Sequence, residues 1–373
     1  MSGIYIHIPF CKKACTYCDF HFSTTFEKYR SEMVTAICSE LIMRKETLQD
    51  QIIETIYFGG GTPSLLTEEE LNIILSTIRE KFEVSVDAEI TLEANPDDID
   101  VSKGEAWGRL GINRLSIGLQ SFHSESLQWM NRAHTVEQSL ACISIAQAAG
   151  INNISIDLIY GLPSMSDEVW REEIRTALQL GVQHFSAYCL TIEPNTVLSS
   201  WVKKEKIQPA TNELQNQHFT ILQEELTNAG FEHYEISNFA LPSFVSKHNS
   251  SYWKGAHYLG VGPSAHSYDG KYRSWNIANN QRYIKGFEEN IPAYEFELLT
   301  KENRFNEALL TGLRTKWGVS LVELEAIFPL TPLFYKQLEE LKEQGWLEVR
   351  DEVMYLTNEG KSWADKIAQD LFV

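Results

Sequence analysis

From the N-terminus to about residue 230, short runs rich in Ile, Val, Leu, Tyr and Phe alternate with longer amphipathic stretches. This is the pattern of repeated β/α units around a parallel sheet. Six runs have strand character, at 3–8, 54–58, 88–92, 113–117, 153–158 and 184–188. Between and after them the spacing predicts helices over 26–44, 67–81, 166–180 and 212–229. Thr67 and Glu70 have the spacing of a capping box. Gly150 and Gly181, each leading into the next strand, have the position of helix C-terminal caps. Six such units form an α/β fold, a partial (β/α)6 barrel of the TIM type, in which chemistry collects at the C-terminal ends of the strands. The 373 residues suffice for that barrel and one smaller domain.

The periodicity weakens over 232–300, where His, Gly, Asn and aromatic residues become frequent. We read this stretch as a connecting region between a barrel domain, 1–231, and a C-terminal domain, 301–373. In the latter, helices over 303–315, 321–327 and 331–344, a hairpin over 346–357 turning near Asp351, and a last helix follow the order of a winged helix, a small α+β domain. Winged helices often bind DNA, but 301–373 holds 9 basic and 13 acidic residues, and the whole chain carries a formal charge of -19. Such a surface repels a polyphosphate, so the domain is expected to pack rather than to bind nucleic acid. No apolar run reaches the roughly 18 to 20 residues of a membrane span, and the N-terminus does not read as a signal peptide. A cytoplasmic protein without a transmembrane segment is expected.

Of six cysteines, Cys11, Cys15 and Cys18 crowd together while Cys38, Cys142 and Cys189 stand alone. Clustered thiols in a large acidic chain without an export signal point to metal binding or catalysis rather than to disulfides, and the isolated three read as small core hydrophobes. The run Tyr5-Ile6-His7-Ile8-Pro9-Phe10 leads the first strand straight into Cys11, so the three thiols share one loop at that strand's C-terminal end. Thiolates favour soft metals and iron-sulfur clusters, and a cubane cluster normally takes four of them. With three, one iron stays open to chelate a small molecule. A zinc site completed by His21 is the competing metal reading. Three bare structural thiols in a loop would be an oxidation liability.

Further groups fall at the same rim. Gly59-Gly60-Gly61-Thr62-Pro63 follows the second strand, Glu93 ends the third, Gln120 follows the fourth and Asp157 lies near the end of the fifth. A glycine turn allows close backbone approach to a ligand. Each polar group alone reads equally well as a cap or a satisfied core hydrogen bond, but their recurrence at one rim favours a binding site.

These residues resemble the radical S-adenosylmethionine (SAM) superfamily and, within it, the branch of oxygen-independent coproporphyrinogen III oxidase and its haem-chaperone relatives, over essentially the whole chain. The resemblance implies a [4Fe-4S] cluster on Cys11, Cys15 and Cys18, with S-adenosyl-L-methionine on the unique iron. It further implies a SAM pocket lined by Tyr5, Tyr17, Gly60, Gly61, Thr62, Glu93, Gln120, Arg132, Asp157 and Thr191. One electron from a donor such as a flavodoxin or ferredoxin would then yield a 5′-deoxyadenosyl radical. Two departures from the oxidase pattern point to the chaperone side. The oxidase's fourth cysteine is Phe20 here, and its N-terminal extension has no counterpart before the first strand. His248-Asn249-Ser250-Ser251-Tyr252-Trp253 matches an HNxxYW motif that the resemblance links to haem binding, with His248 as candidate ligand. The expectation is a haem chaperone passing haem to an acceptor protein, with coproporphyrinogen III oxidation as the alternative.

Overall fold

In the computed structural model, which describes residues 2–48, 51–292 and 294–373, the six expected runs are six strands. They are β1 Ser2–Ile8, β2 Ile53–Gly60, β3 Val84–Ala94, β4 Arg114–Gln120, β5 Asn153–Tyr160 and β6 His184–Cys189, parallel and side by side in chain order. Along them apolar and polar residues alternate, which in a parallel strand signals that only one face is dry. Ile4, Ile6, Ile56, Phe58, Leu92, Ile117 and Ile156 are fully buried in one core with helix residues such as Met33, Ile37 and Leu71. The residues between them, including Tyr57, Glu93, Ser116, Asp157, Ser155 and His184, meet one another across the inside of the arc through hydrogen bonds. The barrel interior is therefore polar, whereas a TIM barrel fills it with aliphatic layers.

The capping box on Thr67 and Glu70 is present, and Gly150 and Gly181 follow their helices at φ 89° and 68°. Two crossover helices lie outside the expected set, Val101–Leu110 and Val136–Ala148. The first carries Gly104 and Gly108, poor helix formers. Gly104 is there for packing, since a Cβ would stand 2.7 Å from that of Ala149. The second is apolar on nearly every side, so no stripe marks it.

Residues 232–300 supply strands at both ends of the arc. β7 Glu232–Glu235 and β8 Asn238–Ala240 lie antiparallel beyond β6, while β9 His257–Val261 pairs parallel to the outer edge of β1. β10 His266–Tyr268, β11 Tyr272–Asn276 and β12 Tyr294–Leu298 extend that side as antiparallel strands, giving twelve in one sheet. A buried carboxylate fastens this flank. Glu40, on helix Arg30–Met43, is 0% exposed and accepts from Gly262 N at 2.9 Å, Asn276 Nδ2 at 2.8 Å, Tyr283 Oη at 2.6 Å and Arg44 Nη1 at 3.0 Å.

The C-terminal residues form helices Lys301–Gly312, Leu321–Ile327 and Pro332–Glu343, a three-stranded sheet of β13 Val319–Ser320, β14 Leu347–Arg350 and β15 Val353–Leu356, and a last helix, Ala364–Asp370. The hairpin turns at Asp351 and Glu352, both left-handed, as a tight two-residue turn demands. This unit has its own core, around Phe305, Leu309, Leu338 and Met354. It is tied to β7 by Lys316 N to Tyr234 O and by Arg314 against Glu235. Among the described residues no helix is long and apolar enough to cross a membrane.

Candidate functional site

The cysteine loop leaves β1 at Pro9 and is closed by backbone bonds from Ser23 N to Pro9 O and from Cys11 N to Ser23 O. The glycine run at the end of β2 packs directly beneath it. A Cβ on Gly61 would stand 2.6 Å from Phe10 O and 2.8 Å from Ile8 O, and one on Gly60, at φ 104°, would meet the His7 ring at 2.5 Å. Only bare backbone fits there. Thr62 Oγ1 donates to Cys11 Sγ at 3.4 Å and Arg132 Nη1 to Cys15 Sγ at 3.5 Å. Arg132 is itself fixed by Nη2 to Asn95 Oδ1 at 2.6 Å and to Gly118 O at 2.7 Å. Burial pushes the Cys11 thiol up to about 11 and Cys18 up to about 12. Thiols so disfavoured as free anions are stabilised as thiolates by a bound metal centre, and soft sulfur donors suit iron-sulfur chemistry.

A cavity of about 990 Å³ opens beside the loop at the C-terminal ends of the strands. Its wall contains Cys11, Cys15 and Cys18 together with Tyr17, Gly60, Gly61, Thr62, Glu93, Gln120, Arg132, Asp157 and Thr191. Tyr5 is placed differently. Its hydroxyl meets His7 Nδ1 at 3.2 Å, its ring packs on Tyr57, and it lines a neighbouring cavity. Lys361 and Trp363 of the C-terminal domain also line this cavity. Sequence reasoning missed these, and also Asn95, whose position just past β3 was the available signal. Cys189, which packs against the core as expected, also lines this cavity.

Two half-buried acids lie in the wall. Glu93 accepts from Tyr57 Oη at 2.8 Å and Gly60 N at 3.1 Å, and Asp157 from Ser116 Oγ at 3.3 Å. Burial pushes Glu93 up to about 7 and Asp157 up to about 6, and the charge of Asp157 adds to the effect on Glu93. With Arg132 opposite in sign, the cavity offers both charges that a zwitterionic amino acid requires. The folded chain holds the Glu93 proton more tightly than the unfolded chain, whose ordinary value is 4.5. Stability is therefore greatest below that value and falls as pH rises through about 7. Glu93→Gln, neutral throughout, is expected to flatten the fall between pH 4.5 and 7 by about 2–3 kcal/mol, read from urea unfolding at a series of pH values.

The HNxxYW residues lie on the helix Lys247–Trp253, which Ser246 caps. Its first amides, Lys247 N and His248 N, donate to the Glu89 carboxylate at 3.1 and 3.0 Å, so the helix stoppers the opposite, N-terminal mouth of the barrel. His248 is 1% exposed and both ring nitrogens are engaged, Nδ1 with Thr55 Oγ1 and Nε2 with Tyr252 Oη, each at 2.8 Å. Its ring stacks on Tyr57 at 4.9 Å. It lines neither large cavity. Removing it with His248→Ala strands Thr55 and Tyr252 and opens a void, and is expected to cost about 2–4 kcal/mol in urea unfolding. Its neighbours Tyr252 and Trp253 do line a second cavity, of about 1420 Å³. His21 lies there too, with Nε2 on Asn280 Oδ1 at 2.7 Å.

The sequence model of the radical SAM superfamily matches residues 5–177, and that of the HemN C-terminal domain matches 299–363. The chain is 33% identical to the heme chaperone HemW of Bacillus subtilis over 98% of each chain. It is 36% identical to the heme chaperone HemW of a Synechocystis species, over 87% of this chain and 81% of the relative. Similarity extends to a mitochondrial radical S-adenosyl methionine domain-containing protein of Bos taurus, at 31% identity over 99% of this chain and 87% of the relative. Among solved structures, coproporphyrinogen III oxidase (HemN) from Escherichia coli superposes with a TM-score of 0.86 at 22% identity, over 100% of this chain and 90% of that one, and so shares the fold.

Proposed function

The chain belongs to the HemW family of the radical SAM superfamily, and from that membership we propose that it is a haem chaperone, binding haem and passing it to an acceptor protein. In this reading Cys11, Cys15 and Cys18 hold a [4Fe-4S] cluster, and the wall residues from Tyr17 to Thr191 hold S-adenosyl-L-methionine at its open iron. That pair, once bound and reduced by a flavodoxin or ferredoxin, is a source of a 5′-deoxyadenosyl radical. Arg132 and the two half-buried acids orient the amino acid end of the ligand, and the C-terminal domain covers it. We place the protein in the cytoplasm.

One observation carries the choice. A second chamber large enough for a macrocycle adjoins the cofactor cavity, and the two share Asp19, Phe20 and Gly60 as a common wall. Phe20, 64% exposed, stands in that wall. The shared oxidase fold supports coproporphyrinogen III oxidation as a second reading. Protein purified and reconstituted without oxygen is expected to develop a Soret band on titration with hemin. It is expected to leave coproporphyrinogen III intact when SAM and a reductant are supplied. Decarboxylated product would establish the second reading in place of the first.

A further inference from the structure

The second cavity has two unlike walls. One is a sheet face. Residues opposed across antiparallel strands point the same way, and here His266 opposes Trp275 while Tyr268 opposes both Arg273 and Tyr258. Tyr258, Tyr268, His266, Trp275 and Arg273 thus share one face, with the His266 ring 6.0 Å from that of Trp275 and nearly parallel to it, at 26°. The other wall is helix Lys301–Gly312, which presents Arg304, Glu307, Ala308, Thr311 and Gly312, the spacing of a single helix face. Arg304 Nε is buried without a hydrogen-bond partner. A slot with an aromatic side, a small-residue side and cations suits a flat apolar ring carrying carboxylates.

Three histidines line this slot, and their ring nitrogens differ. His7 spends both, Nδ1 on Tyr5 Oη and Nε2 on His21 O. His21 spends Nε2 on Asn280. The His266 ring takes no hydrogen bond among the described residues; it is exposed and lies against the Trp275 ring. An exposed imidazole at the cavity's edge, with both nitrogens free, can take a haem iron without breaking a hydrogen bond in the protein. Ligation by His248 would break two.

Resting on the haem-chaperone reading above, we infer that haem occupies this second cavity with His266 as its axial ligand, the porphyrin against Tyr258 and Tyr268 and its propionates toward Arg304 and Arg273. Arg273 is held by Glu307 at 2.8 Å, an ion pair that a propionate would share or displace, which keeps the hold reversible, as transfer requires.

The test is hemin titration of the full-length protein, followed by absorption and resonance Raman spectra, for the wild type, His266→Ala and His266→Cys. His266→Ala is expected to weaken binding by roughly 10–100-fold and to lose the histidine-ligated spectrum, with free imidazole restoring it. His266→Cys is expected to bind hemin with a thiolate-type spectrum, which a merely misfolded variant would not give. Iron and sulfide content should equal the wild type in both variants. Wild-type spectrum and affinity in His266→Ala would overturn the ligand assignment while leaving the chaperone reading intact. A wild-type protein that takes up no hemin would overturn both.

Discussion

Cys15→Ala is expected to reduce the iron content of anaerobically reconstituted protein from about four atoms per chain to background, and to remove the broad visible absorption of the cluster. The loop offers three thiols and no local fourth, so a cubane with one open corner has no ligand to spare. Arg132 Nη1 also loses its sulfur partner, and a guanidinium that stays bonded to Asn95 and Gly118 cannot follow the cluster elsewhere. Binding of SAM should fail with the cluster, because the open iron is its anchor in the proposed scheme. Hemin uptake should persist, since no cysteine of the loop lines the second cavity. Iron and sulfide assays with parallel hemin titration check both halves. Zinc in place of iron in the wild-type protein would refute the assignment.

The second large effect concerns stability. Glu40→Ala leaves Gly262 N, Asn276 Nδ2, Tyr283 Oη and Arg44 without their common acceptor at a site that is 0% exposed. Removing one partner of a buried, fully bonded ion pair costs about 3–5 kcal/mol, because the groups left behind remain desolvated. Urea unfolding should show that loss, and Glu40→Gln, which keeps an acceptor oxygen but not the charge, should lose less. The damage should centre on β9 to β11 and helix Asn280–Glu288, the side of the molecule that carries the second cavity. In hydrogen exchange, amides of β9 to β11 are expected to lose protection before those of β3 to β5. Uniform loss would argue against so local a role.

How far the chain could be read in advance follows from how local each signal is. The six strands, the Thr67 capping box and the turn at Asp351 depend on residues within a few positions of one another, and all three could be read directly. That Cys11, Gly60, Glu93, Gln120 and Asp157 meet at one cavity was legible for a related reason, since β/α topology brings strand ends to one rim whatever lies between them. The edge strands of 232–300 were not, because runs of three to five residues carry too little period to distinguish them from loop. The environment of His248 was hidden most completely. Its partners Thr55 and Glu89 lie 193 and 159 residues away, and no local pattern foretells a histidine that closes the floor of a barrel. Tyr5, expected in the same pocket, lines the neighbouring cavity.

The partition made by Asp19, Phe20 and Gly60 carries a thermodynamic obligation. Two ligands seated on opposite sides of one thin wall cannot be indifferent to each other if either moves it. Linkage makes the influence mutual, so whatever factor SAM imposes on the affinity for haem, haem must impose on the affinity for SAM.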